Sequence, residues 1–202
     1  MNIRTSYRHT LYASYLGYVT QAVVNNFVPL LLLTFQSTWG ISLSRLATLV
    51  SVNFGIQLLV DLAGARFVDR IGYRKSAVIA HALAFLGLVM QGTLPNVLPA
   101  PYVGLVLATI VNGVGGGLIE VLISPIVESC PTDNKEKAMS LLHSFYCWGH
   151  VGVVLLFTIF FSVFGIVNWK ILACIWALVP VLNACLFAVS YTHLRAHETL
   201  RH

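Results

Sequence analysis

Glu120 stands in the run Asn112-Gly-Val-Gly-Gly-Gly-Leu-Ile-Glu120-Val-Leu-Ile-Ser-Pro125, with no other charge nearby. A carboxylate at such a place in hydrocarbon costs about 2.5–3.5 kcal/mol or more if it stays ionised and unpaired. A carboxyl of this kind can be neutral in one state of a protein and ionised in another, which is what proton coupling requires. The same group can bind the hydroxyls of a polar solute; its structural alternative is a permanently protonated packing residue. Asp61 is expected nearer the water boundary, either as a functional carboxyl or as a partner of Arg66 or of a group outside this chain. His143 and His150 open the fifth apolar run, as proton carriers or as interfacial hydrogen-bonding residues. Catalysis on a bound substrate would need a convergent set such as histidine plus carboxylate. Glu120 is expected at a different depth from His143 and His150, so no enzyme activity is expected.

Uncharged polar residues fall at helical spacing, three or four apart, and so share helix faces. The stripes are Tyr18, Gln21 and Asn25; Asn53, Gln57 and Asp61; Asn112, Gly116, Glu120 and Ser124; and His143, Cys147, His150 and Val154. The third run offers only His81 and Gln91, and the sixth only Asn183. Polar groups at membrane depth usually face a bundle interior or a wet cavity. Helices one, two, four and five are therefore expected to wall a cavity, with three and six peripheral. The alternative is interhelical hydrogen bonding alone, and glycines 113, 115, 116 and 117 fit a close-packing surface.

The elements that must position these residues are membrane spans. Hydrophobic residues make up 57% of the chain and charged ones 9%, far below the quarter or so usual in soluble domains. The apolar stretches are about 20 residues long, enough for a helix to cross about 30 Å of hydrocarbon. This places the chain among all-α membrane proteins in a lipid bilayer, with spans expected at 9–35, 44–65, 75–94, 102–128, 138–164 and 168–190. Prolines and glycines punctuate the connections. The first run is too long for a signal peptide and lacks a small-residue cleavage site. Of the twelve Lys and Arg residues, ten (Arg4, Arg8, Arg66, Arg70, Arg74, Lys75, Lys135, Lys137, Arg195 and Arg201) fall on the side of the N-terminus. Arg45 and Lys170 fall on the other. The bias predicts both termini in the cytoplasm and a multi-pass protein of the plasma (inner) membrane. The net charge of +5 thus reflects topology, and no nucleic-acid partner is expected. Cys130, Cys147, Cys174 and Cys185 have no pairing spacing and are expected to pack between helices, with no metal or cofactor implied. Residues 1–190 form one transmembrane unit. Residues 191–202, despite His193 and His197 at i, i+4, resemble translated adapter read-through and are expected to be a non-native tail.

The segment Ala65-Arg-Phe-Val-Asp-Arg-Ile-Gly-Tyr-Arg-Lys75 is expected to be a charged turn between spans two and three. It resembles the signature loop of the major facilitator superfamily, usually G-x-L-A-D-R-x-G-R-K. Asp69, Arg70, Gly72, Arg74 and Lys75 carry the match, and Ala65 replaces the first glycine. An anion at the C-terminal end of its own helix is disfavoured by the dipole, so Asp69 needs a partner. The resemblance implies that these residues gate transport, with neighbouring arginines and a second-half helix terminus as the latch. Residues 112–125 are similar to the G-L-x-E-x-x-x-N-P segment of the fucose permease branch of proton-coupled sugar transporters, with Ser124 for the asparagine. That branch carries Asn-Asp before a proline in helix one; here the stretch is Asn25-Asn26-Phe-Val-Pro29. The drug-antiporter branch fits less well, since Thr109 stands where its helix-four arginine would be. The resemblance implies the N-terminal half of a major facilitator fold, two inverted three-helix repeats, truncated before a C-terminal six-helix half. It implies a symporter of a small hydrophilic solute, such as a sugar, with a proton as coupling ion. Glu120, Asn25, Gln21, Asn53, Gln57 and Asn112 would line the site, with Asp61 and His143 as further candidates. The rivals are a six-helix channel or dimerising half-transporter, and an intramembrane enzyme.

Overall fold

The computed structural model describes residues 7–190. Six long helices follow one another: α1 (Tyr7–Trp39), α2 (Leu43–Ile71), α3 (Tyr73–Val97), α4 (Pro101–Ser129), α5 (Lys135–Phe164) and, after a 3₁₀ turn at Ile166–Asn168, α6 (Trp169–Val189). All six are long and apolar enough to cross a membrane. The tail from residue 191, with His193 and His197, lies outside the described residues.

Local chemistry sets the helix ends. Ser42 and Asn134 cap α2 and α5, accepting from the backbone N–H of Arg45 and Lys137 respectively, and Pro101 opens α4 where no intrahelical N–H is needed. The expected charged turn at 65–75 is a correction. α2 continues through Asp69 and Arg70 to Ile71, and α3 begins at Tyr73. The break is Gly72 alone, at φ 89° and ψ 148°, a conformation open essentially only to glycine. Arg66, Phe67 and Arg70 are good enough helix formers that nothing before Gly72 stops α2.

Side-chain contacts fix the helix directions. Tyr15 stacks on Phe145 and Phe27 meets Phe157, so α1 and α5 run parallel. Gly117 faces Val60 and Gly64 faces Val121, so α2 and α4 run parallel. Tyr18 meets Ser124, Gln21 meets Glu120, and Val24 meets Asn112, so α1 and α4 are antiparallel. Exchanging α1–α3 for α4–α6 turns the α1–α5 pair into α4–α2, which is the relation expected of two three-helix repeats. Three is an odd number of spans, so the second repeat starts from the opposite side and the repeats are inverted.

Two apolar layers hold the bundle. Ile119, Leu122, Ile123, Ala80, Ala84 and Phe187 belong to one, and Phe27, Leu31, Phe35, Leu105, Phe157 and Trp169 to the other. α3 and α4 approach most closely. A side chain added at Gly115 would lie 2.5 Å from the Ala84 backbone nitrogen, and one at Gly87 would lie 2.6 Å from Asn112 Cα. Small residues bring membrane helices together in this way because apolar side chains gain little from leaving lipid. The expectation that the cysteines pack between helices holds for Cys130, which is buried; Cys147, Cys174 and Cys185 are exposed. Membership of an apolar run does not decide which side of the helix a residue takes.

Candidate functional site

The polar stripes of α1, α2, α4 and α5 meet as one hydrogen-bonded relay. Gln21 on α1 donates through Nε2 to Gln57 Oε1 on α2, at 3.1 Å, and to Glu120 Oε2 on α4, at 3.3 Å. Gln57 donates onward to Asn25 Oδ1 at 2.8 Å, and Asn53 reaches the same oxygen at 3.4 Å. Asn25 in turn donates to the Tyr146 hydroxyl on α5 at 3.2 Å. Gln21, Asn25, Asn53 and Gln57 are buried, while Glu120 is exposed at the open end of the relay. A cavity of about 120 Å³ opens there, lined by Tyr18, Gln21, Glu120, His143 and Tyr146.

Helix geometry explains the convergence. Gln21 and Asn25, Asn53 and Gln57, and Gly116 and Glu120 each lie four residues apart on their own helix. Gly116 has no side chain, so the Gln21 and Gln57 amides can sit against α4, within 3.2 and 3.3 Å of where its Cβ would be. A larger residue at 116 would fill the point where three helices exchange hydrogen bonds.

Four expectations need correction. Asn112 does not join the relay: it is fully buried, its Nδ2 contacts the Val24 carbonyl at 3.5 Å, and its backbone packs on Gly87. A strict spacing of four drifts about 40° per step, so Asn112 ends about 80° round α4 from Glu120. His143 was expected at a different depth from Glu120, yet both line the cavity. They lie about 14 Å and 12 Å from the α4–α5 connection at 1.5 Å rise per residue, which places them at one level. The α5 stripe was expected to include Cys147 and Val154, but both are exposed; Tyr146 and Gly149 face α1 instead. Asp61 makes no ion pair with Arg66, because five residues along a helix put the two side chains about 140° apart.

Tyr146 was missed by the sequence reading. Its signal was its place three residues from His143 and four from His150, on whose ring it packs at 4.3 Å between centroids. Tyr18 also contributes, bonding Ser124 Oγ at 2.8 Å and packing its ring 5.5 Å from that of Tyr146. No site residue comes from α3 or α6, which instead join behind the relay. There His81 Nδ1 donates to the Ala77 carbonyl at 2.8 Å, and Nε2 meets Asn183 Nδ2 at 2.7 Å. Because a carbonyl only accepts, the proton is on Nδ1 and Nε2 is left to accept from the amide.

The charged motif lies apart from this site. Asp69 and Arg70 are exposed in the last turn of α2, and Gly72, Arg74 and Lys75 begin α3. Among the described residues Asp69, Arg70, Arg74 and Lys75 form no ion pair. No group of three metal-ligating side chains occurs among the described residues.

The crystal structure of a D-xylose–proton symporter superposes on the chain with a TM-score of 0.75 at 21% sequence identity, over 90% of this chain and 48% of that one. The chain thus spans about half the length of that protein, and at this identity the likeness is one of fold. The sequence profile of the Major Facilitator Superfamily matches residues 14–201, reaching into the tail read above as non-native. With six membrane-length helices arranged as the N-terminal half of that fold, the chain belongs to the Major Facilitator Superfamily.

Proposed function

We propose that the chain is the N-terminal half of a secondary active transporter that carries a small hydrophilic solute, a sugar being the best fit, by alternating access. The observation that carries this reading is the relay itself. Four buried amides and a tyrosine hydroxyl end in an exposed carboxylate at a cavity, on a bundle otherwise held by apolar contacts. Amides and a carboxylate offer the alternating donors and acceptors that solute hydroxyls need, and the Tyr18 and Tyr146 rings supply flat apolar walls.

A second six-helix bundle would complete the cavity. Phe54, Leu58 and Leu62 on α2, and Trp148, Val151 and Leu155 on α5, are exposed on the helices that flank it. The gate is assigned to Asp69, Arg70, Gly72, Arg74 and Lys75, whose free charges at the α2–α3 junction suit contacts with that bundle. The N-terminal side carries most cations, which supports cytoplasmic termini in a plasma membrane. The coupling ion is taken to be a proton held at Glu120, and the fucose permease branch is the nearest in motif. Transport involves no covalent conversion of the solute, so no enzyme activity is assigned.

Uptake of labelled hexoses and pentoses into proteoliposomes tests the reading, with the chain alone and with a second six-helix half supplied. Uptake is expected only with both halves present. Glu120→Gln should abolish accumulation driven by a proton gradient while sparing solute exchange. Uptake by the 202-residue chain unaided would favour the channel or dimerising reading, and unchanged accumulation in Glu120→Gln would remove Glu120 from coupling.

A further inference from the structure

The Asp61 carboxyl has no part in the relay, yet it sits beside it. Val60 packs on Gly117 and Gly64 on Val121, so α2 and α4 are in register there and Asp61 shares a level with Glu120. The two carboxyl groups lie within electrostatic reach of each other. Neither has a cationic partner among the described residues, and Asp61 Oδ1 is sealed from solvent with no hydrogen-bond donor.

Gln21 supplies an independent observation. It is 1% exposed, and its Nε2 serves Gln57 and Glu120, but its Oε1 accepts from nothing. An unpartnered buried carbonyl oxygen next to two carboxyl groups is a set of acceptors without a donor. Two like charges at one level in apolar surroundings are not stable uncompensated, so such a set recruits positive charge.

We propose that Asp61 and Glu120, with the Gln21 carbonyl, form a site for one monovalent cation, H⁺ or Na⁺. Both ions satisfy the same chemistry, a single positive charge shared among oxygen acceptors. The site gives α2 a direct part in coupling, in a chain whose helix one has Asn25-Asn26 and no carboxyl. Only the word coupling rests on the transport reading; binding does not require it. The other titratable groups around the cavity are Tyr18 of α1 and His143 and Tyr146 of α5, while His81 of α3 faces α6.

The test uses the full chain in lipid nanodiscs, following its thermal midpoint by intrinsic fluorescence. One arm replaces choline chloride by sodium chloride at fixed pH, and the other varies pH in choline chloride. A ligand that binds only the folded state raises the midpoint. A rise with sodium identifies Na⁺, and a response to pH alone identifies H⁺. Either response should be lost in Asp61→Asn and in Glu120→Gln and retained in Asp61→Glu and His143→Gln. Because the pair can be read from either side, a folding failure of one variant leaves the other to decide. The proposal is overturned if wild type responds in neither arm, if Asp61→Asn responds as wild type does, or if His143→Gln alone removes the response. Neither solute nor a second half enters this assay, so failed sugar uptake and failed cation binding are separate results.

Discussion

The side-chain amide of Gln57 donates to Asn25 Oδ1 at 2.8 Å, the shortest bond in the relay, and this contact ties α2 to α1 beside the cavity. The same glutamine accepts from Gln21 through Oε1, so one residue joins the Asn25–Tyr146 arm to the Gln21–Glu120 arm.

Replacing Gln57 by leucine should therefore break the relay in two places. A buried polar group left without its partner costs about 1–3 kcal/mol, which corresponds to roughly 5- to 150-fold in binding. Solute affinity of the completed transporter should fall within that range, measured by equilibrium binding. Gln57→Glu, which keeps an acceptor for Gln21, should lose less than Gln57→Leu.

His81 and Asn183 join α3 to α6 where neither the relay nor the cavity reaches. A hydrogen bond between membrane helices contributes about 0.6 kcal/mol on average and up to about 1.7. Single changes His81→Leu and Asn183→Leu should each destabilise the bundle, and the double change should cost less than their sum. A double-mutant cycle in reversible detergent unfolding measures the difference, with solute affinity unchanged throughout.

At Gly115 an added methyl would meet the backbone of α3, at Ala80 O and Ala84 N, which cannot move aside as a flexible side chain can. Gly115→Ala should force α3 and α4 apart and cost about 1–3 kcal/mol. Gly152, also helical, has nothing within 4 Å of its Cβ position. Gly152→Ala should be neutral or stabilise by up to about 1 kcal/mol, and the contrast is readable as thermal midpoints of the two variants in one detergent.

Cys130 lies just past α4, and burial pushes its thiol up from 9.0 to about 11. The unfolded chain loses this proton at lower pH than the folded one. The contribution to stability is thus complete below pH 9 and is lost as pH rises to about 11. Two pH units correspond to about 2.7 kcal/mol at most. Unfolding measured across this window should show a steeper decline for wild type than for Cys130→Ala. Thiol labelling of Cys130 should be slow at neutral pH, where the thiolate that reacts is scarce.

The amino-acid sequence by itself determined that the chain crosses a membrane six times, because composition and run length act one helix at a time. It also placed Gln21, Asn25, Asn53, Gln57 and Glu120 on helix faces that turned out to meet, since a spacing of four puts residues on one side whatever the helix packs against. Short motifs around Asp69 and Glu120 carried the family. The tertiary structure decided which faces touch. Asn25 and Tyr146 are 121 residues apart and Tyr18 and Ser124 are 106 apart, so no local pattern joins them. It turned Asn112 away from the cavity, brought His143 to the level of Glu120, and set Asp61 beside Glu120 across α2 and α4. It also drew the charged motif into two helices around Gly72. The physical reason is common to these cases. Periodicity fixes the angle of a side chain about its own axis, while depth and partnership depend on how neighbouring helices slide and rotate until close packing at residues such as Gly115 and Gly116 stops them.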